Sequence, residues 1–457
     1  MADLSTLLEI AAPIAGAGGL GYAKVRAPGM YWSLVGLPVT YGRFRFTYRA
    51  TMDVCGLTVQ PSAFRAWFVR NVARGEVLPV PPRVRKIRPS ATGLRVTLRL
   101  APGMEPADVV AASNRLRHAF GVHAVHVVET GPGLVELRMT GYDVLNKVRV
   151  PRRFPRGRLV VPVAVREDGT AFVRDYGAMP HALTLGANQS GKSMYQRNLI
   201  AGLAKLPVAL VGIDCKRGVE LSPFARRLSA LATNPGEAST LLDVLVTEME
   251  SRFDALRDYQ GIAASTPDGQ ITSDLWGLPE HLRPVPVVVM VDEVAELFLV
   301  TSKKDEERRD RMVTQMVRLG QLARAVGIYL EICGQRFGSD LGRGATALRA
   351  QLTGRVVHRV NDKQTAEMGL GDYAPDAVPV VTSIPANRPG LAVASDASGG
   401  WSRIRTPHMT LTEAAAICST HAHRVPDLPA LAVFRPVVPA VVPTAGPSLV
   451  KPRPVTD

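Results

Sequence analysis

The pattern of apolar and polar residues changes character near residue 159 of the chain. Before that point, the stretch "GLRVTLRL" alternates polar and apolar residues, as a strand with one buried face does. The following "EPADVVAASNRLRHAF" places apolar residues at helical spacing, and "AVHVVET" and "LVELRMT" indicate two more strands. Residues 84–142 therefore predict a small β-α-β-β module. The preceding stretch, 74–89, mixes prolines with basic residues, which predicts a linker or an edge leading into that module.

Beyond residue 159, short apolar runs without alternation predict strands that are buried on both faces. They are "ALTLG", "VALVGID", "VPVVVMVDE", "GIYLEIC" and "RVVHRV". Longer helical stretches lie between them, for example "ASTLLDVLVTEMESRFDALRDY". Continuous apolar strands that alternate with helices are typical of a parallel sheet covered on both faces. The sequence thus predicts a doubly wound α/β domain that ends near Ile404.

The beginning of the chain differs from this pattern. The stretch Leu7–Ala23 is apolar except for Glu9, and Met30–Tyr41 is a second, shorter apolar run. Neither clearly reaches the ~20 apolar residues of a spanning helix. Two short helices on a membrane and a buried helical hairpin therefore fit equally well.

The predicted organisation has four parts. They are an N-terminal membrane-proximal or interaction segment (1–75), a small α+β domain (76–155), the α/β domain (156–405), and a helix with a proline-rich tail (406–457). The last helix, "TLTEAAAICSTHAHR", is capped by Thr410 or Thr412. Eight prolines lie between Pro426 and Asp457, so we expect that tail to be extended and largely disordered.

Composition adds an expected partner to this outline. The 457 residues are 46% hydrophobic and 21% charged, and the net charge is +15. Such a balance favours a polyanion, either nucleic acid or an anionic membrane face, although an inert basic surface is the alternative. The cysteines form no zinc pattern and give no reason to assume a disulfide framework. We expect the protein to be cytoplasmic and associated with the inner face of the cell membrane.

The stretch "GANQSGKS" fits the phosphate-binding pattern G-x-x-x-x-G-K-[ST], and it lies between a predicted strand and a predicted helix. Its two glycines allow a tight turn, so that backbone N–H groups can surround a phosphate. Lys192 is expected to reach the β- and γ-phosphates of ATP, and Ser193 to bind Mg²⁺. The residues expected to hold the nucleotide are Gly186, Ala187, Asn188, Gln189, Ser190, Gly191, Lys192, Ser193 and Met194.

Two acids end the buried stretch "VVVMVDE". An unpaired buried carboxylate is costly, so acids at this position need a reason. We expect Asp292 to complete the Mg²⁺ shell and Glu293 to polarise the attacking water. The alternative is an acidic start of a helix. Gln335 follows the next buried strand and could sense the γ-phosphate, or it could be an ordinary turn residue.

Other catalytic patterns are absent from the sequence. It contains no G-x-S-x-G, no H-E-x-x-H and no L-S-G-G-Q, which argues against serine hydrolases, zinc proteases and transporter ATPases. His123, His126 and His358 are interpreted as strand residues, and His181 as a loop residue before the phosphate-loop strand.

Five blocks follow one another along residues 84–405: "MPHALTLGANQSGKS", "VGIDCKRGVELSPF", "EMESRFDAL", "VVVMVDEVAEL" and "LARAVGIYLEICGQRFG". In sequence and in order, they resemble the FtsK/SpoIIIE family of DNA-pumping ATPases. Cys215 and Phe337 stand where the family has proline, and we expect no C-terminal winged-helix DNA reader. The resemblance implies that the α/β domain is a RecA-like P-loop NTPase motor.

The resemblance also implies partners and a mechanism. It implies a homo-hexameric ring that threads double-stranded DNA, with catalytic roles for Lys192, Asp292, Glu293 and Gln335. The stretch "QLTGRVVHRV" is similar to a segment of that family. This similarity makes Arg355 the preferred arginine to act on a neighbour's nucleotide. The other arginines considered are Arg318, Arg324, Arg336 and Arg359.

The short N-terminus and single motor look most like the plasmid-transfer branch, the TraB- or TraSA-like proteins of mycelium-forming bacteria. That branch implies ATP-driven movement of double-stranded DNA in conjugative transfer of a plasmid or integrative element. Protein secretion, chromosome segregation at division, and a DNA-binding adaptor with a nucleotide switch are the alternatives.

Overall fold

The computed structural model of the protein describes most of the chain. The described residues are 24–25, 27–61, 67–68, 71–72, 77–146, 148, 150–151, 157–261, 271–338, 341–371, 373–396 and 400–437. Backbone contacts divide the chain into a small unit (Met1–Phe154, Ala164–Phe172 and Ser402–Arg405) and a large unit (Pro155–Val163, Val173–Trp401 and Thr406–Asp457). The four-part organisation read from the sequence stays a prediction.

The small unit contains a four-stranded antiparallel sheet in the order β1-β2-β4-β3. Alternate residues of its strands face the helices and form a core of valine, leucine and methionine side chains. Its elements are α1 (Pro28–Tyr31), a π-helical turn (Trp32–Gly36), α2 (Leu37–Val54), β1 (Arg83–Pro89), β2 (Gly93–Arg99), α3 (Pro106–Phe120), β3 (Ala124–Gly131), β4 (Leu134–Thr140) and a 3₁₀ turn (Val144–Asn146).

Strand β1 was not predicted from the sequence. The stretch that contains it was interpreted as a linker or an edge, because prolines and basic residues dominate it. The structure shows an edge strand that, among the described residues, pairs with β2 alone, and an edge position tolerates proline and exposed charge.

The helices before this sheet differ from the prediction as well. Met30–Tyr41 is part of a helical stretch that continues through α2 to Val54, rather than a short separate helix. Phe44 of α2 packs on Phe120 of α3 with ring centroids 5.1 Å apart. Within the described part of the chain, no helix combines the length and apolar character needed to cross a membrane. The predicted apolar stretch Leu7–Ala23 lies outside the described residues.

The second sheet has ten strands in the order β6-β5-β14-β13-β12-β7-β11-β10-β8-β9. They are β5 (Val160–Arg166), β6 (Ala171–Asp175), β7 (Ala182–Leu185), β8 (Ala209–Ile213), β9 (Ala230–Ala232), β10 (Val287–Val291), β11 (Ile328–Gly334), β12 (Gly354–His358), β13 (Leu391–Ser395) and β14 (Trp401–Arg405). The six strands from β12 to β9 are parallel. The predicted RecA-like α/β fold is confirmed.

The parallel strands are mostly apolar because both faces are covered. Every residue of β7, β8, β10, β11 and β12 is buried. The helices of the large unit are α4 (Lys192–Leu203), α5 (Pro235–Gln260), α6 (Val294–Leu297), α7 (Lys303–Leu322), α8 (Ala345–Gln351), α9 (Lys363–Leu370), α10 (Val378–Thr382) and α11 (Leu411–Thr420). Short 3₁₀ helices span Ser222–Arg227, Leu275–Gly277, Glu280–Leu282, Pro375–Ala377, Ala422–Arg424 and Pro429–Phe434.

The C-terminal region agrees with the prediction at its helix and departs from it afterwards. The Thr410 side chain caps α11 by accepting a hydrogen bond from the Glu413 N–H, and the Glu413 carboxylate accepts one from the Thr410 N–H. The first of the two proposed caps is therefore confirmed. Pro429–Phe434 forms a 3₁₀ helix whose Leu431 is buried in the core of the large unit. The prediction of an extended tail is therefore wrong for this segment, because one apolar side chain finds a place in the core. Residues 438–457 lie outside the described chain.

Candidate nucleotide-hydrolysis site

The phosphate loop links β7 to α4, as the sequence predicted. Gly191 has a φ of 110°, and a Cβ at this position would lie 2.3 Å from the backbone nitrogen of Gly390. A side chain is therefore excluded both by backbone conformation and by space. A Cβ at Gly186 would meet the Ser190 hydroxyl at 2.5 Å. Both glycines of the pattern are needed for this loop to close.

Helix α4 begins at Lys192, directly after the loop. The N–H groups of its first turn have no acceptor within the helix, so they are free to bind an anion. The Lys192 Nζ donates to the Gly186 carbonyl oxygen at 2.5 Å and lies 4.0 Å from Glu293 Oε2. Burial lowers the pKa of Lys192, while the Glu293 carboxylate opposes that change. The lysine is held beside the loop by contacts that a phosphate group could replace.

The two acids lie where β10 ends. Asp292 and Glu293 are buried, and Lys216 is the cation nearest to Asp292. The Lys216 Nζ lies 3.3 Å from Asp292 Oδ2 and 3.9 Å from Glu293 Oε2. Burial raises the pKa of Asp292, and Lys216 counteracts this rise. The acids are thus neighbours of two lysines, one from the phosphate loop and one from the loop after β8.

Gln335 lies beside Glu293 because β10 and β11 are parallel neighbours whose carboxyl ends meet at one edge. The Gln335 backbone N–H donates to Glu293 Oε1 at 3.1 Å. This bond leaves the other carboxylate oxygen of Glu293 facing the lysines. Gln335 also lines the adjoining cavity.

These residues surround a cavity of about 370 Å³. Gly186 and Ser190 are not part of its lining, because they pack against each other within the loop. The lining residues are Ala187, Asn188, Gln189, Gly191, Lys192, Ser193, Met194, Gln196, Lys216, Val219, Glu220, Asp292, Glu293, Cys333, Gln335 and Pro389. The structure thus brings together all but one of the predicted catalytic residues.

The exception is Arg355. It lies in the middle of the sheet on β12, and it is 1% exposed. Its guanidinium donates to the Arg349 carbonyl oxygen at 2.7 Å and lies 4.8 Å from the ring of Tyr373. A side chain enclosed in this way is not available to a neighbouring subunit. We therefore correct the prediction that Arg355 acts in trans.

Another arginine from the predicted group contacts the phosphate loop. Arg359 donates to the Asn188 carbonyl oxygen at 3.1 Å, whereas Arg336 donates to the Gln364 side chain of α9 at 3.2 Å. Arg359 therefore stabilises the loop of its own chain.

The sequence analysis missed Lys216 and the residue that holds its loop in place. Asp214 follows β8, is fully buried, and accepts N–H bonds from Lys216, Glu220 and Leu221 at 3.1, 2.9 and 3.1 Å. The loop after β8 is fixed by this carboxylate. The signal was present in "VGIDCK", because β8 is the parallel neighbour of β10 and both strands end in an acid.

A third missed residue is Arg174, which fixes the segment that enters the phosphate-loop strand. Its guanidinium donates to Glu331 Oε1 at 2.6 Å, to the Pro180 carbonyl oxygen at 3.2 Å and to the Met179 carbonyl oxygen. His181 follows, and its Nδ1 accepts the Leu330 N–H at 3.1 Å. Burial lowers the pKa of His181 to about 3, so the ring is a neutral packing element. The "MPH" segment is therefore anchored to β11.

The donor set fits a magnesium–nucleotide complex. Lys192 and the helix start supply positive charge for phosphate, while Ser193 and Asp292 supply oxygen ligands. The described residues contain no group of three or more metal-binding side chains. Mg²⁺ is commonly bound through one or two protein oxygens together with substrate phosphates and waters, and Ser193 and Asp292 are oxygen donors of that kind.

Comparisons with known proteins place the chain among conjugal transfer proteins and DNA translocases. Residues 18–141 match the family described as the actinomycete conjugal transfer protein N-terminal domain, and residues 145–339 match the FtsK/SpoIIIE family. The transfer protein TraSA of Streptomyces ambofaciens is 56% identical over 409 residues, which cover 90% of this chain and 98% of that protein.

Two further relatives extend the comparison. A sporulation regulatory protein of Streptomyces azureus is 70% identical over 278 residues, which cover 61% of this chain and 88% of that protein. The DNA translocase FtsK of Shewanella oneidensis is 29% identical over 341 residues, which cover 64% of this chain and 36% of that protein.

Proposed function

Since the chain belongs to the FtsK/SpoIIIE family and to its actinomycete conjugal-transfer branch, we propose that it is an ATP-hydrolysing motor that moves double-stranded DNA during conjugative transfer. The motor would act as a homo-hexameric ring around the duplex. The observation that carries the proposal is the meeting of Lys192, Glu293 and Gln335 at one edge of the parallel sheet.

Each of these residues has a defined part in hydrolysis. Lys192 and the N–H groups at the start of α4 bind phosphate oxygens and orient the terminal phosphate. Glu293 accepts the proton of the attacking water, and Gln335 orients that water. When bound by Ser193 and Asp292, Mg²⁺ supplies charge that neutralises the phosphate oxygens. The positive charge of Lys216 offsets the electrostatic repulsion between the carboxylates of Asp292 and Glu293.

The choice of DNA as partner is supported by the charge of the chain. A net charge of +15 favours a polyanion, and most non-specific DNA affinity comes from phosphate contacts. The relatives named above include a transfer protein and a DNA translocase.

The test is ATP hydrolysis by the full chain with duplex DNA, with single-stranded DNA and without DNA, at about 50 and about 200 mM salt. We expect duplex to stimulate the rate most, and the stimulation to fall at the higher salt concentration. Lys192→Ala removes hydrolysis, whereas Lys205→Ala, at an exposed position in the turn after the same helix, leaves the rate unchanged. Equal rates with and without duplex would overturn the proposal, and hydrolysis by Lys192→Ala would overturn the site.

We further propose that the N-terminal helices rest on the inner face of the cell membrane. Leu34, Val39, Phe46 and Val54 are exposed along this stretch, and Phe46 is 89% exposed. Arginines lie between them at 43, 45 and 49, so the surface combines apolar anchors with charges that attract anionic lipids.

Co-sedimentation with anionic vesicles tests this membrane contact. Phe46→Ser together with Val54→Ser is expected to release the protein, while Val110→Ser on α3 is the matched control. Equal binding by the two variants would refute the contact.

A further inference from the structure

Within the described residues of the small unit, the four-stranded sheet has one face packed against helices and an opposite face, the open face, whose side chains are partly or fully exposed. Leu94, Val96 and Leu98 of β2 point into the core with α2 and α3. The residues between them point the other way. Because partners across an antiparallel sheet share a face, the strand register defines the composition of the open side.

The open side is dominated by cations. Across β1 and β2, Arg83 is opposite Arg99 and Arg88 is opposite Arg95. Arg95 is in turn opposite Arg138 on β4. We call this group the basic sheet face, and its members are Arg83, Lys86, Arg88, Arg95, Arg99 and Arg138.

Few acids balance these charges. Glu136 lies 2.7 Å from Arg138, and Asp168 of the same unit lies 3.7 Å from Arg95. The other four cations have no described acid within ion-pair distance, and all four are exposed. Like charges directly opposite each other on a sheet are destabilising. The arrangement therefore lowers the stability of the sheet. A surface that binds a ligand can retain such a loss, whereas a purely structural surface has no reason to retain it.

Protection of the sheet edge does not account for the whole face. Charged residues and proline on an edge strand prevent pairing with other chains, and β1 fits that role. The cations continue onto the interior strands β2 and β4, however, where no free edge exists. A second reason is needed for Arg95, Arg99 and Arg138.

We propose that the basic sheet face binds the phosphate backbone of duplex DNA, at a site separate from the nucleotide cavity. Five of its six cations are arginines, whose planar guanidinium groups bind phosphate through two hydrogen bonds. None of the large apolar side chains that are exposed among the described residues lies on this face, so it lacks the anchors of a membrane-binding surface. The inference rests on the proposed function only in its choice of duplex DNA as partner.

The size of the face suits a duplex. Its cations lie on three neighbouring strands, β1, β2 and β4, which at a spacing of ~4.8 Å span ~10 Å. The major groove of DNA is ~12 Å wide, so the cations can reach phosphates along one groove edge. Such contacts carry no sequence information, as a translocating protein requires.

The test measures duplex binding by the full chain without nucleotide, using fluorescence anisotropy over a series of salt concentrations. The face variant is Arg83→Gln with Lys86→Gln and Arg88→Gln. The control variant is Arg115→Gln with Lys303→Gln and Lys304→Gln, which removes the same charge from exposed positions on α3 and α7. Each lost phosphate contact lowers the slope of log affinity against log salt by about 0.9.

We expect the face variant to lower that slope by about 2 to 3 and to weaken binding by about 10-fold or more, while the control has a much smaller effect. A second variant, Arg95→Gln with Arg99→Gln, is expected to lower the slope by about 2 and shows that the contact extends beyond the edge strand. Thermal unfolding confirms that the variants are folded.

Equal losses in the face and control variants would overturn the inference, because net charge alone would then explain binding. Unchanged duplex binding with reduced binding to anionic vesicles would also overturn it and assign the face to a membrane. Loss of duplex binding in the face variant, in a chain whose hydrolysis is not stimulated by duplex, supports the face and contradicts the proposed motor function.

Discussion

The two sheets of this chain use charge in opposite ways. In the large unit, two cations are each matched by a buried acid: Arg174 pairs with Glu331 inside the protein, and the partly exposed Lys216 pairs with Asp292 at the cavity. In the small unit, charges of one sign are exposed and face one another across strands, as Arg83 faces Arg99. A buried charge needs a charged partner within the fold, whereas an exposed charge is solvated and can pair with a charged ligand from solution.

This difference indicates that the charges of the two sheets have different functions. Matched, buried charges hold groups at fixed distances, as the hydrolysis of a phosphate bond demands. Unmatched, exposed arginines hold nothing in place, but they give affinity for a polyanion. The same residue type should therefore respond in opposite directions when it is replaced in the two sheets.

The largest expected effect follows from Arg174→Met. It leaves Glu331 buried without its cation and removes the donor to the Pro180 carbonyl oxygen. We expect the free energy of unfolding of the large unit to fall by about 3 to 5 kcal/mol. Urea unfolding, followed by hydrogen exchange of the β11 amides, measures it. Arg99→Met is the control, with an expected change under about 0.5 kcal/mol. A loss as small as the control's would show that the buried pair is dispensable.

The next effect concerns chemistry rather than stability. Glu293→Gln keeps the size of the side chain but removes the proton acceptor, so we expect the rate of ATP hydrolysis to fall about 10³-fold. Nucleotide affinity, measured by titration calorimetry, should change little. Glu296→Gln, an exposed glutamate on α6, is the matched control. Hydrolysis that survives in Glu293→Gln would remove this residue from the mechanism.

A smaller effect is expected from pH. Burial lowers the pKa of His358, below the phosphate loop, to about 4, against an ordinary value near 6.5. The folded state therefore resists protonation, so stability present above about pH 6.5 is lost as the pH falls towards 4. Between about pH 7.5 and about pH 5, His358 should account for a loss of about 2 kcal/mol.

Urea unfolding of the large unit at both pH values checks this expectation. His358→Gln should remove that part of the pH dependence, and His281→Gln, at an exposed position, should not. Identical pH profiles for the native chain and His358→Gln would contradict it.

The smallest expected effect has the opposite sign. Arg99→Glu replaces a like-charge pair with Arg83 by an opposite-charge pair across the same strands. We expect a gain of about 0.5 kcal/mol in the small unit. Slower hydrogen exchange of the β2 amides would report it, with Arg99→Gln as the intermediate case. Faster exchange in Arg99→Glu than in Arg99→Gln would mean that Arg99 already has a stabilising role.

The sequence predicted the parts of the molecule that depend on local pattern. The apolar runs predicted the parallel strands, because strands buried on both faces contain little else. The loop pattern and the acids after β10 identified most of the cavity, because the carboxyl ends of neighbouring parallel strands meet. Lys216 follows the same rule and could have been found.

The missed features depend on contacts between distant segments. Arg174 has no local signature, since its partners Met179 and Glu331 are defined only by the folded sheet. Arg355 was assigned a role by resemblance, but burial on a central strand is a property of the fold. Strand β1 was missed because only its pairing with β2 distinguishes it from a linker.

The close approach of Gly191 to Gly390 has a consequence for the history of this sequence. The Gly390 N–H donates to the Ser190 carbonyl oxygen at 2.9 Å, and Gly390 itself has a φ of 83°. Neither glycine can be replaced without affecting the contact between them, although they belong to different stretches of the chain. Among relatives that retain this loop, we expect the two glycines to be inherited together, and an insertion just before β13 to be selected against as strongly as a change in the loop.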